Sequence, residues 1–308
     1  MTTLQGIVTK STGSWYTVKA ADGQLFDCRI RGKLRLMGSK STNPVAVGDS
    51  VSFVNDARDG AVITERLERR NYIIRKATNL SRQTHVLAAN LDQALLVVTL
   101  FQPRISLGFI DRFLLTAEAY DIPCTVVFNK TDLWGAEAEA VFQDICDIYK
   151  PSGYRISQCS AQSGKGLEEL AQWLQGKTSL VSGFSGVGKS SLLNALYPGL
   201  SLKTGEISDY SQKGKHTTTF AELFEPNPGT RIIDSPGIKE LGIIDIEGYE
   251  LAHHFPEMRP FINQCKFNTC THTHEPGCAV RTAVELGAIA PERYKSYLSI
   301  LSNEDQYN

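Results

Sequence analysis

The sequence predicts three structural units within 308 residues: a small β-barrel, a doubly wound α/β unit and a mainly helical C-terminal unit. Three observations predict this order. Residues 1–69 contain short β-patterned runs that are broken by turn residues and show no helical periodicity. From about residue 90, buried-strand runs alternate with amphipathic helices. After residue 246 the pattern turns helical on both sides of three closely spaced cysteines.

The N-terminal unit, residues 1–69, is expected to form four or five strands closed into a small barrel, and an OB-fold fits this class. Residues 1–85 hold 14 Lys and Arg against 7 Asp and Glu, which gives +7, while the whole chain carries −1. A basic N-terminal third favours a polyanionic partner, although a solvated charged face is the alternative. Trp15, Tyr16 and Phe26 could stack on bases or belong to the barrel core.

The α/β unit places four polar motifs directly after predicted strands. Strand–helix alternation with strands buried on both faces predicts a parallel sheet, and such sheets bind ligands at the carboxyl ends of their strands. We therefore expect the four motifs to meet at one edge. They are NKTD (129–132), CSA (159–161), GFSGVGKS (183–190) and DSPG (234–237).

The segment GFSGVGKS fits the pattern G-x-x-x-x-G-K-[ST] of a loop that surrounds nucleotide phosphates. Gly183 and Gly188 permit tight turns, Lys189 supplies a positive charge, and Ser190 offers a hydroxyl to Mg²⁺. The following helix directs its positive end at the anion. The residues expected to contact the nucleotide here are Gly183, Phe184, Ser185, Gly186, Val187, Gly188, Lys189, Ser190 and Ser191.

The motif NKTD is expected to recognise the base. The Asp132 carboxylate can accept hydrogen bonds from N1 and N2 of guanine, a donor pair that adenine lacks. Asn129 would bond the N7/O6 edge, and the Lys130 stem would lie over the ring. Backbone N–H groups of Ser160 and Ala161 would donate to O6.

In DSPG, Asp234 would hold Mg²⁺, usually through water, and the Gly237 N–H could sense the γ-phosphate.

The base-reading motif comes before the phosphate loop, which is the reverse of the usual order. Circular permutation explains this order, since compact domains tolerate new termini while every site stays in place. The predicted boundaries are 70–245 for the permuted α/β unit and 246–308 for the C-terminal unit.

The sequence indicates the residues that catalyse hydrolysis less clearly than those that bind the nucleotide. Many GTPases carry a water-orienting Gln after D-x-x-G, where this chain has Ile238. His216 is the best candidate to position the water in place of this glutamine. The alternative is that His216 is an ordinary histidine of a surface loop. Thr218 (or Thr217) is placed to complete Mg²⁺ coordination. The catalytic candidates are thus His216, Lys189 and Thr218, and we expect slow turnover that a partner accelerates.

The C-terminal segment CKFNTCTHTHEPGC has the spacing of a structural zinc site. Three thiolates from Cys265, Cys270 and Cys278 and one imidazole would make a closed tetrahedral centre. His272 is the favoured fourth ligand, and His274 is its rival.

This combination of motifs resembles the RsgA-type circularly permuted GTPases of bacterial ribosome assembly over nearly the whole chain. The resemblance implies an OB domain, a permuted GTPase domain and a zinc domain that uses Cys265, Cys270, His272 and Cys278. It implies GTP hydrolysis stimulated by the 30S subunit during late maturation, with binding to 16S rRNA near the decoding centre. Gly186 stands where potassium-activated relatives carry Asn, so potassium activation is not expected.

Two other functions stay open. One is an RNA-docking module in which GTP is mainly a conformational ligand, and the other is a GTPase of translation or tRNA modification. The expected ligands are GTP or GDP, Mg²⁺ and one Zn²⁺.

The longest apolar run, ALLVV, is too short to span a bilayer, and the N-terminus lacks a secretory pattern. We therefore expect a cytoplasmic monomer that binds neither membrane nor DNA.

Overall fold

A computed structural model of the chain describes residues 2–30, 32, 43–56, 60–76, 84–203, 221–235 and 248–302. The strands of this part of the chain are β1 (Thr3–Ser11), β2 (Tyr16–Ala20), β3 (Leu25–Ile30), β4 (Ser50–Asp56), β5 (Gly60–Arg66), β6 (Tyr72–Lys76), β7 (Thr84–Ala89), β8 (Gln93–Val98), β9 (Cys124–Phe128), β10 (Arg155–Gln158), β11 (Thr178–Ser182), β12 (Glu222–Asn227) and β13 (Thr230–Asp234).

The helices are mostly short and lie between the strands or near the C-terminus. The α-helices are α1 (Leu107–Ala119), α2 (Ala136–Tyr149), α3 (Leu167–Leu174), α4 (Lys189–Leu196), α5 (Arg259–Ile262), α6 (Ala279–Glu285) and α7 (Pro291–Leu301). Single 3₁₀ turns span Thr131–Leu133, Lys150–Ser152, Pro198–Leu200 and Leu251–His254. No helix among the described residues has both the length and the apolar character that crossing a bilayer requires.

Strands β1 to β5 form the predicted barrel, and its OB-type connectivity is confirmed. Strand β1 pairs antiparallel with both β2 and β4, while β3 pairs parallel with β5. These pairings close the sheet on itself and leave its apolar side chains inside. Tyr16 is 1% exposed and belongs to this core, and the Phe26 ring packs 5.1 Å from that of Phe53. Of the three aromatic residues considered for stacking, Trp15 is the exposed one, at 46%.

The α/β unit has the predicted parallel sheet, in the order β10-β9-β8-β11-β13-β12. Every residue of β8 and β11 is buried, because helices cover both faces of the sheet. Strand β12 runs antiparallel to β13, so the sheet ends in an antiparallel edge. The parallel strands therefore direct the residues that follow them to one common edge.

Two connections between the units were not predicted from the sequence. A hairpin of β6 and β7 forms a separate two-stranded sheet. Strand β12 also pairs with β1 of the barrel, through Lys10 and Glu222, so that eleven strands make one continuous sheet. Ion pairs of Lys10 with Glu222 and of Lys19 with Glu225 reinforce this junction.

The C-terminal unit packs against α1 through its own apolar core, which includes Leu115 of α1. A buried ionic cluster lies at the same contact. Arg293 donates from Nε to Glu257 Oε1 at 2.6 Å and from Nη1 to Asp111 Oδ1 at 2.6 Å. Tyr149 donates to the same Asp111 oxygen, also at 2.6 Å. Burial by itself would lower the pKa of Arg293, but Asp111 and Glu257 raise it. The four residues, from α1, α2, α7 and the segment before α5, fix the unit to the sheet.

Candidate nucleotide site and metal centre

The loop 183–188 joins β11 to α4 and has the conformation that the phosphate-loop pattern predicts. Gly183 has φ of 149° and Gly188 has φ of 89°. A Cβ atom at Gly183 would lie 2.1 Å from the Val97 carbonyl oxygen, and one at Gly188 would lie 2.5 Å from Asn129 Nδ2. Both positions therefore require glycine for space as well as for backbone conformation. Helix α4 starts at Lys189, so its unpaired N–H groups face this loop.

Lys189 folds back over the loop. Its Nζ donates to the Gly183 carbonyl at 2.8 Å and to the Phe184 carbonyl at 2.9 Å. Burial lowers the pKa of the Lys189 ammonium, and the Asp234 carboxylate opposes this shift. An ammonium held by neutral carbonyls in a half-buried loop is poised to bind an anion such as a phosphate.

Asn129 joins three of the predicted segments. Its side chain is 1% exposed, and Nδ2 donates to the Val187 carbonyl of the phosphate loop at 2.9 Å. Its Oδ1 accepts from the Ala161 N–H at 3.3 Å. The sequence motif predicts that this amide contacts the base. Here it connects NKTD, the phosphate loop and CSA, and so fixes their relative positions.

Asp132 and Lys130 lie beside these contacts. The Ser160 hydroxyl donates to Asp132 Oδ1, and it also accepts from the N–H groups of Gln162 and Ser163 at 3.2 and 3.0 Å. This chain of bonds orients the carboxylate. The Ser160 N–H donates to the Lys165 carbonyl at 3.0 Å, so neither it nor the Ala161 N–H is free for a base oxygen in this conformation. The first bond closes the turn at residues 160–165, and the second joins this turn to NKTD, so donation of these two N–H groups to a base oxygen stays a prediction.

The segment after β8, which carries none of the four motifs, also contacts NKTD. Lys130 has φ of 65°, and its Nζ donates to the Gln102 carbonyl at 2.8 Å. Burial lowers the pKa of Lys130, and Asp132 opposes this shift. The only signal in the sequence was position, since residues 99–106 also follow a central strand at the same edge of the sheet.

Asp234 ends β13 at this edge and pairs with Val181 in the register of β11. The carboxylate is 3% exposed and close enough to Lys189 to influence its pKa. Ser190 opens α4 next to Lys189. A carboxylate and a hydroxyl oxygen are the hard ligands that Mg²⁺ prefers, so both residues could hold this ion beside a bound phosphate. His216, Thr217, Thr218, Gly237 and Ile238 lie outside the described residues.

The Cys/His segment brings four donor atoms together: those of Cys265, Cys270, His272 and Cys278, all within 4.8 Å of one another. His272 Nδ1 lies 3.6 Å from the Cys265 sulfur and 3.4 Å from the Cys278 sulfur, and the two sulfurs are 4.0 Å apart. Tetrahedral zinc with ordinary bond lengths separates its ligand atoms by about 3.6–3.8 Å. The donor set and spacing therefore fit one zinc ion.

Glu275 and two tyrosines fix the loop that carries His272. The carboxylate of Glu275 accepts from the N–H of Thr271 at 2.7 Å and from that of Thr273 at 3.0 Å. Burial opposes ionisation of Glu275, but a 2.6 Å bond from the Thr271 hydroxyl, together with these backbone bonds, outweighs it and lowers its pKa. Tyr294 donates to the His272 carbonyl at 2.6 Å, and Tyr297 donates to that of Thr271 at 2.7 Å. His272 can thus keep a left-handed φ of 58° and face the thiols.

We predict that the purified protein carries one zinc ion per chain and that His272, not His274, supplies the imidazole. His272 is 1% exposed with Nδ1 toward the sulfurs, while exposed His274 has its Nδ1 2.8 Å from the Thr273 hydroxyl. His272→Ala should lose most of its zinc to a chelator, and His274→Ala should retain it. Metal analysis after dialysis measures both. Equal retention or equal loss in the two variants contradicts the assignment.

The fold and this site define a class: a circularly permuted P-loop GTPase in which NKTD precedes the phosphate loop, with a small barrel before it and a Cys₃His cluster after it. The chain belongs to the RsgA GTPase family. The family model for the RsgA GTPase matches residues 66–244, and that for the RsgA N-terminal domain matches residues 5–63.

Full-length relatives agree with this membership. The chain is 50% identical to a protein of Phocaeicola vulgatus named small ribosomal subunit biogenesis GTPase RsgA, over 98% of both chains. A protein of the same name from Christiangramia forsetii is also 50% identical, over 98% of this chain and 97% of the relative. The crystal structure of YjeQ from Thermotoga maritima superposes with a TM-score of 0.77 at 37% identity, over 98% of both chains. YloQ, described as a circularly permuted GTPase, gives 0.72 at 31% identity over 98% of this chain and 95% of its own.

Proposed function

We propose that this GTPase acts in biogenesis of the small ribosomal subunit, as a late maturation checkpoint whose hydrolysis the 30S subunit stimulates. The observation that carries the proposal is the 50% identity, over 98% of both chains, to a protein named for that role. The hydrogen-bonded junction of NKTD, CSA and the phosphate loop at Asn129 supports a retained nucleotide site.

The roles proposed for Asp132, Lys189, Ser190 and Asp234 are supported by their positions at one edge of the sheet, and those proposed for His216, Thr218 and Gly237 come from the sequence motifs. Asp132 reads the guanine, Lys189 binds the phosphates, and Ser190 and Asp234 hold Mg²⁺ together with Thr218. When bound, Mg²⁺ neutralises charge on the phosphate oxygens. His216 positions the attacking water, and Gly237 responds to the γ-phosphate.

The partner proposed for the barrel is 16S rRNA near the decoding centre. The excess of +7 over residues 1–85 supports this choice, because Lys and Arg facing phosphates supply most of the affinity in such contacts. We further propose that the protein works as a cytoplasmic monomer. The proposed unit boundaries remain 1–69, 70–245 and 246–308.

Single-turnover hydrolysis of GTP with and without purified 30S subunits tests the proposal. With Ile238 in place of a water-orienting Gln, intrinsic turnover should be slow, and mature subunits should raise the rate by roughly 100-fold or more. The 50S subunit is the matched control and should have no such effect. If both subunits stimulate hydrolysis equally, or if neither subunit stimulates it, the proposed 30S checkpoint is contradicted.

Ile238 also favours a second function, an RNA-docking module in which GTP acts mainly as a conformational ligand. Cosedimentation with 30S subunits distinguishes the two, using GDP and a non-hydrolysable GTP analogue. A docking module binds more tightly with the analogue while subunits leave the hydrolysis rate unchanged. The proposed checkpoint shows both nucleotide-dependent binding and stimulated hydrolysis.

A further inference from the structure

Among the described residues, two aromatic rings that are more than 40% exposed each have a cation over them. Trp15, between β1 and β2, is 46% exposed, and the Arg29 guanidinium carbon lies 4.3 Å from its ring centroid. Phe267, in the metal-binding loop, is 44% exposed, and Lys266 Nζ lies 5.6 Å from its centroid. The first pair belongs to the barrel and the second to the C-terminal unit.

The turn that carries Trp15 is fixed on both sides. The Thr12 N–H and hydroxyl both donate to the Trp15 carbonyl, at 3.0 and 3.3 Å. The next residue, Tyr16, is anchored in the barrel core, and its hydroxyl lies 3.4 Å from the Gly13 carbonyl oxygen. The indole is thus presented to solvent by a closed turn, so little order is lost when a ligand stacks on it.

Phe267 is held in a similar way by the metal loop. It lies between Cys265 and Cys270, and its carbonyl accepts from the Cys270 N–H at 3.2 Å. The Lys266 N–H donates to the Gly277 carbonyl at 3.1 Å. The ring and its neighbouring ammonium therefore sit on a loop whose backbone is pinned at both ends.

A third pair, Arg69 and Tyr72, differs because both members also contact other groups of the protein, and Tyr72 is less exposed, at 36%. The Tyr72 ring packs 4.9 Å from that of Tyr120, and Arg69 makes two 2.7 Å hydrogen bonds to Asp49. Its ring and its cation both have partners within the protein. By comparison, Trp15 and Phe267 keep nearly half of their surface exposed.

We propose that the Trp15–Arg29 and Lys266–Phe267 pairs are two stacking sites for unpaired bases of a single-stranded RNA segment. Each ring would stack on a base through the face that its cation does not cover, and the cation would attract the adjoining phosphate. Bases inside a duplex cannot reach such a ring. The surplus of +7 over residues 1–85 is opposite in sign to the phosphates of this ligand and so attracts it. The inference rests on the proposed 16S rRNA partner and names the form in which that RNA is bound.

Fluorescence anisotropy of the full-length protein with a labelled oligouridylate, and with an RNA duplex of equal length, tests the proposal. Trp15→Ala and Phe267→Ala should each weaken binding of the single strand by roughly 5- to 150-fold, and the double variant by more than either. Trp15→Phe should retain most of the affinity. Duplex affinity should change less than twofold. Arg29→Gln should reduce the salt slope by about 0.7, which corresponds to one phosphate contact on a single strand.

Matched controls come from exposed leucines of the same two units. Leu25→Ala in the barrel and Leu286→Ala in the C-terminal unit remove side chains that are 60% and 80% exposed. Neither should change RNA binding. If Trp15→Ala behaves like Leu25→Ala, or if Trp15→Leu binds the oligouridylate as well as Trp15→Phe, the stacking proposal is wrong.

Failure of this inference is distinguishable from failure of the proposed function. Wild-type hydrolysis that 30S subunits stimulate, together with unchanged oligouridylate binding in both alanine variants, rejects the stacking sites alone. Loss of oligouridylate binding in the variants, without 30S stimulation of the wild type, supports the stacking sites and rejects the checkpoint.

Discussion

Replacement of Asp132 by asparagine is expected to remove the preference of this protein for guanine nucleotides. The carboxylate would accept two hydrogen bonds from the base, and each charge-assisted bond contributes about 1.5–3 kcal/mol. Affinity for GDP should therefore fall by roughly a hundredfold or more. The asparagine amide can donate to a carbonyl at position 2, so affinity for xanthosine diphosphate should rise. Isothermal titration calorimetry with GDP, ADP and xanthosine diphosphate measures all three.

The control for this change is Asp144→Asn, on the exposed face of α2. It removes the same charge from the same unit and should leave nucleotide selectivity unchanged. A second control is Ser160→Ala, which removes the hydroxyl that orients Asp132 and should weaken GDP binding less than Asp132→Asn does. If Asp132→Asn keeps the wild-type ratio of GDP to ADP affinity, NKTD does not read the base.

Replacement of Arg293 by methionine is expected to lower the free energy of unfolding by about 3–5 kcal/mol. Arg293 is 1% exposed and bridges Asp111 and Glu257 across the contact between the C-terminal unit and α1. Without the guanidinium, two carboxylates remain buried close together, and Asp111 Oδ2 already has no hydrogen-bond partner among the described residues. Urea denaturation followed by circular dichroism measures the loss.

The matched control is Arg259→Met. Arg259 also forms an ion pair between the C-terminal unit and α1, with Glu118, but its side chain is 47% exposed. An exposed pair contributes at most about 1 kcal/mol. Adding Asp111→Asn and Glu257→Gln to Arg293→Met should restore part of the stability, because it removes the unpaired charges. Equal losses for Arg293→Met and Arg259→Met contradict the structural role of the cluster.

Most of the architecture could be predicted from local pattern. Strand β9 was predicted with its observed bounds, 124–128, because five consecutive apolar or β-branched residues lie between a proline and an asparagine turn. The phosphate loop was predicted because its glycine and lysine spacing is tied to a strand–loop–helix context. Trp15, Tyr16 and Phe26 show the limit of this approach, since the sequence could not tell that Trp15 alone of the three is exposed.

The features that pattern did not predict depend on contacts between residues distant in the chain. The pairing of Lys10 with Glu222 joins residues 212 apart, and neither strand signals its partner. The buried cluster needs Asp111 and Arg293, which look like ordinary surface residues of amphipathic helices. Asn129 shows a related effect. Its residue type suggests a base contact, but its amide is engaged by two neighbouring loops.

One titration tests the central claim that NKTD, CSA, the phosphate loop and Asp234 form one guanine nucleotide site. Calorimetry of the unmodified chain with GDP and with ADP, in the presence of Mg²⁺, should give one GDP site per chain and at least a hundredfold weaker binding of ADP. Binding of GDP and ADP with equal affinity, or no saturable binding of GDP, would contradict the account.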